Sequence, residues 1–219
     1  MIIAIDGPAG TGKGTISKLI SERLGFTYIE TGAMYRAVAL KMIRENISVD
    51  NMAEVIRITN EIKIDFANED GVQKTYMDGE DVSEAIRTAD VTSIVAKVSS
   101  IREVRERLVS IQRQMAEGKN VVMEGRDITT VVFPNAEVKI YMTADAEERA
   151  QRRYDELINK GVSTTYDEVF KSIVERDEID MNKPYGALMI ADDAQVVDTT
   201  ATPIEDVYKR IEGIILSKF

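Results

Sequence analysis

The chain has 219 residues, no Cys and no His, and a formal charge of −10 from 28 Lys and Arg against 38 Asp and Glu. Without Cys there is no disulfide framework or thiolate metal site, and without His the commonest general base is missing. A surface of this sign repels nucleic acid, so we expect no nucleic-acid polymer as a partner. The apolar start ends at Asp6, and no later run approaches about 20 apolar residues. We therefore expect a cytoplasmic protein that does not contact membranes.

Predicted strands and helices alternate at the start of the chain. The β-branched run at Ile2–Asp6 is typical of a strand that is buried on both faces. A helix is predicted over 14–25, where Ile16, Ile20 and Leu24 share one side and Gly25 suits the C-terminal cap. A short strand at 26–30 and a helix at 33–46 follow. Strand, helix and strand in this order predict a parallel sheet.

The middle of the chain interrupts this alternation. After a helix around Ala53–Glu61, two stretches of alternating polarity flank Asp70-Gly71, which is a strong turn signal. The pattern predicts a β-hairpin between Ile62 and Val82. The hairpin is too small to fold alone. It either shapes a binding cleft or is a surface feature without a function, and the local sequence favours neither.

The rest of the chain returns to strands and helices. A long helical region is predicted from Ser83 to Glu117, with a break near Ser99–Ser100. We expect Asp145 to cap one helix and Pro203 to take the first position of the last one. These elements predict an α/β fold, a single domain over 1–219 with about five parallel strands flanked by helices and one small β-hairpin insert. The later strands are predicted at 120–125, 137–143 and 194–200, and the later helices at 146–160, at 164–180 and after Thr202.

A glycine-rich loop follows the first strand. Gly7 to Lys13 read GPAGTGK, which matches the phosphate-binding pattern G-x-x-x-x-G-K. The glycines allow the backbone to turn several N–H groups inward, the next helix adds its positive end, and Lys13 supplies a mobile charge. A glycine-rich turn that precedes a lysine by chance is the alternative, and the strand and helix on either side argue against it. The loop predicts binding of a nucleoside triphosphate.

The loop alone does not separate a kinase from a GTPase or an ATP-driven switch. A GTPase should carry an N-K-x-D guanine reader, and the NKGV at Asn159 and the NKPY at Asn182 both lack the acid. Gly14 stands where many such loops have a Ser or Thr that holds Mg²⁺. The metal would then be held mainly by phosphate oxygens and water. Asp6 is the side chain that could assist.

Arginines occur where strands and helices are predicted to end. In a chain of charge −10, their convergence would create a local anion site, with the Arg126 that follows a predicted strand as its most site-like member. For any one of them, a surface salt bridge is the simpler interpretation. The residues in question are Arg36, Arg105, Arg126 and Arg176, with Arg149, Arg152 and Arg153 along one helix.

Several segments together resemble the bacterial cytidylate kinases, a family of P-loop nucleoside monophosphate kinases. They are GPAGTGKGT, ETGAMYRAVA, VVMEGRDITTVVFP, EERAQRRY, ERDEID and ADDAQVVDTT, in that order. The resemblance runs from Ile2 to Ile215 and includes Gly14, since such kinases often read G-K-G-T. It implies a three-layer P-loop kinase fold and transfer of the ATP γ-phosphoryl group to CMP or dCMP, with Mg²⁺ accompanying ATP.

The resemblance also implies roles for individual residues. Arg36 and Arg126 would grip the acceptor phosphate, Arg176 and Asp180 would hold the sugar, and Arg105 and Asp127 would read the cytosine edge. The hairpin at 62–82 would enlarge the monophosphate side, and a segment at about 149–165 would form a lid over ATP. The implied catalytic residues are Lys13, Arg126 and Arg176. The implied ATP-binding residues are Gly7, Pro8, Ala9, Gly10, Thr11, Gly12, Lys13, Gly14, Thr15, Arg149 and Arg153. The implied CMP-binding residues are Thr31, Arg36, Arg105, Arg126, Asp127, Arg176, Asp180 and Lys183.

Four positions depart from the family pattern. Ala96 stands where some members have a base-contacting Ser, Lys183 replaces a frequent Arg, Thr129 stands where Gly is usual, and the segment before Leu188 lacks the usual Pro. These departures leave room for a related kinase that acts on UMP, AMP or a small metabolite. A non-enzymatic binding protein gated by ATP is the alternative from another class. We expect a monomer, and the sequence leaves the preference between CMP and dCMP open.

Overall fold

A computed structural model describes residues 1–69 and 72–218. The predicted turn at Asp70-Gly71 lies outside the described residues. The chain divides into two compact units, the first formed by Met1–Tyr28 with Ala116–Phe219 and the second by Ile29–Met115. The predicted insert at 62–82 is one part of the second unit, and the single-domain boundary stays a prediction. No helix of the described part has the length and apolar character needed to cross a membrane.

The strands and helices alternate much as the sequence predicts. A 3₁₀ turn at Ala85–Arg87 and a π-helical turn at Ile128–Val132 add to them. The strands are β1 (Ile2–Asp6), β2 (Thr27–Glu30), β3 (Ile64–Glu69), β4 (Val72–Met77), β5 (Glu80–Asp81), β6 (Val121–Gly125), β7 (Val138–Thr143) and β8 (Gln195–Asp198). The helices are α1 (Lys13–Leu24), α2 (Thr31–Arg44), α3 (Met52–Glu61), α4 (Ala89–Val98), α5 (Arg102–Ala116), α6 (Ala146–Asn159), α7 (Tyr166–Met181) and α8 (Ile204–Leu216).

The first unit is built on a five-stranded sheet with the order β2-β6-β1-β7-β8, which confirms the predicted parallel sheet. β1 lies at its centre, paired in parallel with β6 and β7. Ile3 and Ile5 are fully buried because both faces of β1 are covered. The register places Asp6 beside Gly125 at the carboxyl edge of the sheet. The residues that follow these two strands, Gly7 and Arg126, therefore start from neighbouring points.

Helices α6 and α7 of the first unit pack through a small cluster of their own, formed by Ala150, Val169 and Ile173. Helix α7 begins with a capping box, in which Thr165 and Glu168 bond each other's backbone N–H groups. Asp145 is the N-cap residue of α6, as predicted, although its side chain makes no capping hydrogen bond. The prediction for Pro203 was wrong, because it precedes α8 as the N-cap residue instead of occupying the first helical position.

The second unit contains α2 to α5 and a three-stranded antiparallel sheet with the order β3-β4-β5. The predicted hairpin is confirmed, since β3 pairs with β4 from Ile64–Met77 to Glu69–Val72. The short β5 is an addition that the sequence did not predict. The predicted break in the long helical region is also confirmed, because α4 ends at Val98 and α5 begins at Arg102. The core of this unit includes Met34, Val38, Ile58 and Leu108.

Candidate active site

The glycine-rich loop joins β1 to α1 at the carboxyl edge of the sheet. Gly7 has φ = 149°, and a Cβ there would lie 2.1 Å from the Met142 carbonyl oxygen, so only glycine fits where the loop passes the backbone of Met142. Gly12 is the N-cap residue of α1 in the left-handed region, and no side chain caps the helix there. The first N–H groups of α1 are thus left for a ligand, and an anion is the ligand that a helix N-terminus favours.

Lys13 folds back onto this loop. Its ammonium donates to the Pro8 carbonyl oxygen at 2.6 Å and approaches the Thr11 hydroxyl at 3.4 Å, and the residue is only 4% exposed. Burial, reinforced by the charge of Arg126, lowers the pKa of Lys13 to about 7. The acidic residues nearby offset only part of that shift. Lys13 is therefore a buried amine whose contacts are neutral oxygen atoms, and phosphate oxygens would be stronger partners for its charged form.

A side chain at Gly14 would fit only tightly. A Cβ at this position would lie 3.2 Å from Glu124 Oε1 and 3.5 Å from the Tyr28 hydroxyl oxygen. The Tyr28 hydroxyl donates to the same carboxylate oxygen at 3.0 Å. A carboxylate thus stands beside the place where many phosphate-binding loops carry a Ser or Thr hydroxyl. Sequence reasoning did not single out Glu124, although its position at the end of a predicted strand was a usable signal.

Asp6 is fully buried at the end of β1. Its carboxylate accepts hydrogen bonds from the Ile128 N–H at 2.9 Å, the Thr129 N–H at 2.7 Å and the Thr129 hydroxyl at 2.6 Å. Burial raises the pKa of Asp6 to about 6, although the hydrogen bonds from Thr129 and Ile128 oppose that rise. Both carboxylate oxygens are already engaged with protein donors. This arrangement gives no support to the hypothesis that Asp6 holds Mg²⁺.

Four of the residues predicted to bind CMP lie together in the first unit, where three cations surround the carboxylate of Asp180. Asp180 is fully buried and pairs with Arg126 at 2.8 Å, Arg176 at 3.1 Å and Lys183 at 2.6 Å. Burial alone would raise the pKa of Asp180, but the charges of the three cations hold it well below its usual range. One carboxylate cannot neutralise three cations. We call these four residues the Asp180 cluster, in which Arg126 and Arg176 keep 22% and 25% of their side chains exposed.

Two arginines of α6, Arg149 and Arg152, contact the backbone of the glycine-rich loop. Arg149 donates to the carbonyl oxygens of Ala9 at 3.1 Å and Ala144 at 3.0 Å, and it pairs with Asp177 at 2.7 Å. Arg152, one turn further along α6, donates to the Gly10 carbonyl oxygen at 3.4 Å. The sequence analysis did not assign Arg152 to this loop, although its helical i, i+3 spacing from Arg149 could have indicated the contact.

Arg153 and Asp127 complete the predicted residues of the first unit. Arg153 pairs with Glu156 on its own helix at 2.7 Å, away from the loop contacts of Arg149 and Arg152. Asp127 is 3% exposed, and its carbonyl oxygen accepts from the N–H groups of Val131 and Val132. The assignments of Arg153 to ATP and of Asp127 to the base stay predictions, as does the lid at about 149–165.

The second unit holds the other predicted acceptor residues. Thr31 is the first residue of α2 and is 3% exposed. Arg36 donates to the Thr92 hydroxyl at 2.9 Å and to the Ile86 carbonyl oxygen at 3.2 Å. Arg105 is 2% exposed, donates to the Ser99 carbonyl oxygen at 2.8 Å, and has its guanidinium carbon 5.3 Å from the ring centre of Tyr35. These contacts place Arg105 and Arg36 firmly within the unit, and their ligand roles stay predictions.

Comparison with known proteins gives one consistent family. The family model described as cytidylate kinase matches residues 3–216. The cytidylate kinase of Caldicellulosiruptor bescii is 49% identical over 209 residues, which cover 95% of this chain and 92% of the relative. The cytidylate kinase of Fusobacterium nucleatum is 48% identical over 218 residues, which cover 98% of both chains.

A solved structure supports the fold alone. The crystal structure of an uncharacterized protein from Eubacterium ventriosum aligns with a TM-score of 0.54 at 12% identity, and the alignment covers 99% of each chain. At this identity, likeness in structure says nothing about the ligand.

Proposed function

This chain belongs to the cytidylate kinase family and transfers the γ-phosphoryl group of ATP to CMP or dCMP, and we propose how its own residues perform that transfer. One observation carries the proposal. The loop that contains Lys13 and the segment that begins at Arg126 leave neighbouring strands of one sheet, where Asp6 pairs with Gly125. The loop with Lys13 and the segment with Arg126, each suited to a phosphate-bearing ligand, therefore begin next to each other at the edge of the sheet.

The donor end is the loop from Gly7 to Thr15. The N–H groups at the start of α1 would bind the phosphates of ATP, and Lys13 would exchange the Pro8 carbonyl oxygen for a phosphate oxygen. This exchange replaces a neutral acceptor with an anionic one. Arg149 and Arg152 already hold the loop carbonyls of Ala9 and Gly10, so we propose that they fix the shape of the loop.

The acceptor end includes the Asp180 cluster. Arg126 and Arg176 each donate their Nε–H to Asp180. Each guanidinium group has further N–H donors that do not take part in this bond. We propose that Arg126 binds the acceptor phosphate and that Arg176 and Asp180 bind the sugar, as the resemblance implies. The assignments of Thr31, Arg36, Arg105 and Asp127 rest on that resemblance, and each can be tested by substitution.

Residues near the loop fit a divalent cation that arrives with ATP. Among the described residues, no group of three or more Asp, Glu, His or Cys side chains comes together as a complete metal site. The carboxylate of Glu124 beside Gly14 is a hard oxygen donor of the kind that Mg²⁺ prefers. We propose that Glu124, rather than Asp6, faces the cation or its water molecules. When bound, Mg²⁺ would offset the charge on the transferred phosphoryl group.

The transfer needs no side-chain base. A phosphate monoester loses its second proton near pH 6, so the acceptor oxygen is largely deprotonated at neutral pH. The main barrier is the repulsion between two phosphate groups held in line. Lys13, Arg126 and the loop N–H groups would oppose that repulsion and hold the geometry. A chain without His loses nothing in this reaction.

The test is an acceptor panel. ATP and Mg²⁺ are supplied with CMP, dCMP, UMP or AMP in turn, and ADP release is followed. Strong stimulation by CMP and dCMP is expected, whereas stimulation only by another acceptor, or by none, would contradict the proposal. Arg126→Ala should raise the KM for CMP more than tenfold, roughly the loss of one charge-assisted hydrogen bond, with little change in the KM for ATP. The matched control is Arg210→Ala, which removes an exposed arginine of the same unit.

We also propose that the protein acts as a monomer in the cytoplasm. The transfer of the phosphoryl group from ATP to CMP, as described above, does not require a second copy of the chain. Sedimentation of the purified protein at assay concentration tests this, and a dimer at that concentration would contradict it.

A further inference from the structure

The contact between Asp6 and Thr129 links two parts of the candidate active site. Asp6 is the last residue of β1 and directly precedes the loop that begins at Gly7. Its carboxylate accepts three hydrogen bonds from Ile128 and Thr129, and two of them come from Thr129 alone. Asp6 is fully buried and Thr129 is 1% exposed, so water does not compete for these bonds.

The segment held by Asp6 begins with Arg126 and Asp127. Immediately after them the chain forms the π-helical turn Ile128–Val132. The Asp127 carbonyl oxygen accepts from the Val131 N–H at 2.8 Å and the Val132 N–H at 3.1 Å, which closes the turn. At the start of the turn, the N–H groups of Ile128 and Thr129 are the ones that Asp6 accepts. The carboxylate therefore fixes where the turn starts, two residues after Arg126.

The other end of this link is rigid. Asp6 pairs with Gly125 of β6 and with Tyr141 of β7, so its backbone is held on both sides. A displacement of the turn must therefore break bonds to Asp6 rather than drag β1 along. The stiffness of the link depends on how many donors the carboxylate keeps.

We propose that Thr129 is a positioning residue whose hydroxyl, through Asp6, fixes the Arg126–Asp127 segment relative to the ATP-binding loop. This inference rests on the proposed function, in which Arg126 binds the acceptor phosphate. The glycine that the resemblance implies at this position would offer the backbone N–H alone. The hydroxyl of Thr129 gives this chain a third donor to Asp6.

The neighbouring residue provides a matched control. Thr130 is of the same type and one position further along the same turn, but its hydroxyl oxygen is buried and has no hydrogen-bond partner among the described residues. Thr129→Val and Thr130→Val both exchange a hydroxyl for a methyl group. Only the first removes a bond to Asp6.

The experiment measures kcat, the KM for CMP and the KM for ATP in Thr129→Val, Thr130→Val and Thr129→Ser. Thr129→Val should lower kcat/KM for CMP roughly tenfold, the effect of one hydrogen bond to a charged group, while the KM for ATP stays within about twofold. Thr129→Ser keeps the hydroxyl and should retain the activity of the unchanged protein. Thr130→Val should also retain it.

Two results would overturn the inference. One is equal kinetics for Thr129→Val and Thr130→Val, and the other is an equal rise of both KM values in Thr129→Val, which would indicate general loosening of the fold. If Thr129→Val does not fold, Thr129→Gly removes the hydroxyl while keeping the N–H donor to Asp6, and the same comparison is made. Failure of the role proposed for Arg126 is distinguishable, because Arg126→Ala would then leave the KM for CMP unchanged.

Discussion

Two buried lysines of the first unit meet their oxygen partners at the same distance but in different electrostatic settings. Lys13 Nζ lies 2.6 Å from the Pro8 carbonyl oxygen, and Lys183 Nζ lies 2.6 Å from Asp180 Oδ1. The carbonyl oxygen carries no net charge, and burial lowers the pKa of Lys13 to about 7. The carboxylate of Asp180 is an anion that three cations keep deprotonated. The two lysines are both buried and differ in the charge of the oxygen partner.

The difference has a functional meaning. In the proposed function, phosphate oxygens of ATP would be stronger partners for Lys13 than the Pro8 carbonyl oxygen, so the charge of Lys13 would be coupled to ligand binding. The Asp180 cluster holds three cations around one carboxylate, and in the proposed function these cations would attract the acceptor phosphate. One site should therefore respond to ligand and to pH near neutrality, and the other should respond only in acid.

The largest effect is expected at Asp180. Asp180→Asn keeps the shape of the side chain but leaves Arg126, Arg176 and Lys183 without their shared anion. We expect the free energy of unfolding to fall by about 3–5 kcal/mol, as when one partner of a buried ion pair is removed. Chemical denaturation at pH 7 measures this. Asp193→Asn is the control, because Asp193 also pairs with a lysine, Lys139, but is 67% exposed, and little change is expected there.

The pH dependence of that effect follows from the sign of the shift. The pKa of Asp180 is lower in the folded protein than in the unfolded chain, where about 3.9 is usual. The unfolded state thus binds the extra proton first as the pH falls, so the stabilisation by Asp180 is complete near neutrality and is lost in acid. The stability difference between Asp180→Asn and the unchanged protein should shrink from pH 6 to pH 3. A difference that is constant over this range would contradict the assignment.

The next effect is expected at Lys13. Lys13→Ala should lower kcat by on the order of a hundredfold, about 3 kcal/mol, as when one preorganised donor to the transition state is removed. The matched control is Lys18→Ala, which removes an exposed lysine of the same helix α1. Rates of ADP release at saturating ATP and CMP measure both. Near-normal turnover of Lys13→Ala would refute the role given to this lysine.

The sequence predicted the parts of the first unit that follow from local pattern. The β-branched run at Ile2–Asp6, the glycines before Lys13 and the apolar spacing of α1 each have one strong interpretation. The structure confirms the strand and the helix. The hairpin was equally predictable, since the alternation of polarity on both sides of Asp70-Gly71 is a local signal.

The sequence could not predict the contacts that span long distances along the chain. Asp6 and Thr129 are separated by 123 positions, and Arg126 and Asp180 by 54. Nothing local indicates that one carboxylate gathers three cations, or that Glu124 stands beside Gly14. The π-helical turn was missed for the same reason, because the N–H groups at its start bond to Asp6, which lies far away along the chain.

The smallest effect is a proton that accompanies ATP. With the pKa of Lys13 at about 7, roughly nine in ten of these side chains are neutral at pH 8. The charged groups that act on Lys13 are Arg126, Glu124, Asp6 and Asp180, and the pKa of about 7 already includes their effects. Phosphate oxygens beside Lys13 would raise its pKa, so ATP binding at pH 8 should take up close to one proton, and at pH 6 almost none from this group.

Calorimetric titration of ATP in two buffers of different ionisation enthalpy measures that proton. Lys13→Arg is the informative variant, because a guanidinium stays charged at every pH of the experiment and should abolish the uptake. Equal heats in both buffers for the unchanged protein at pH 8 would mean that Lys13 is already charged before ATP arrives. The contrast between the two lysines would then be one of partner alone and not of charge, and the pH sensitivity assigned to the donor loop would have to be withdrawn.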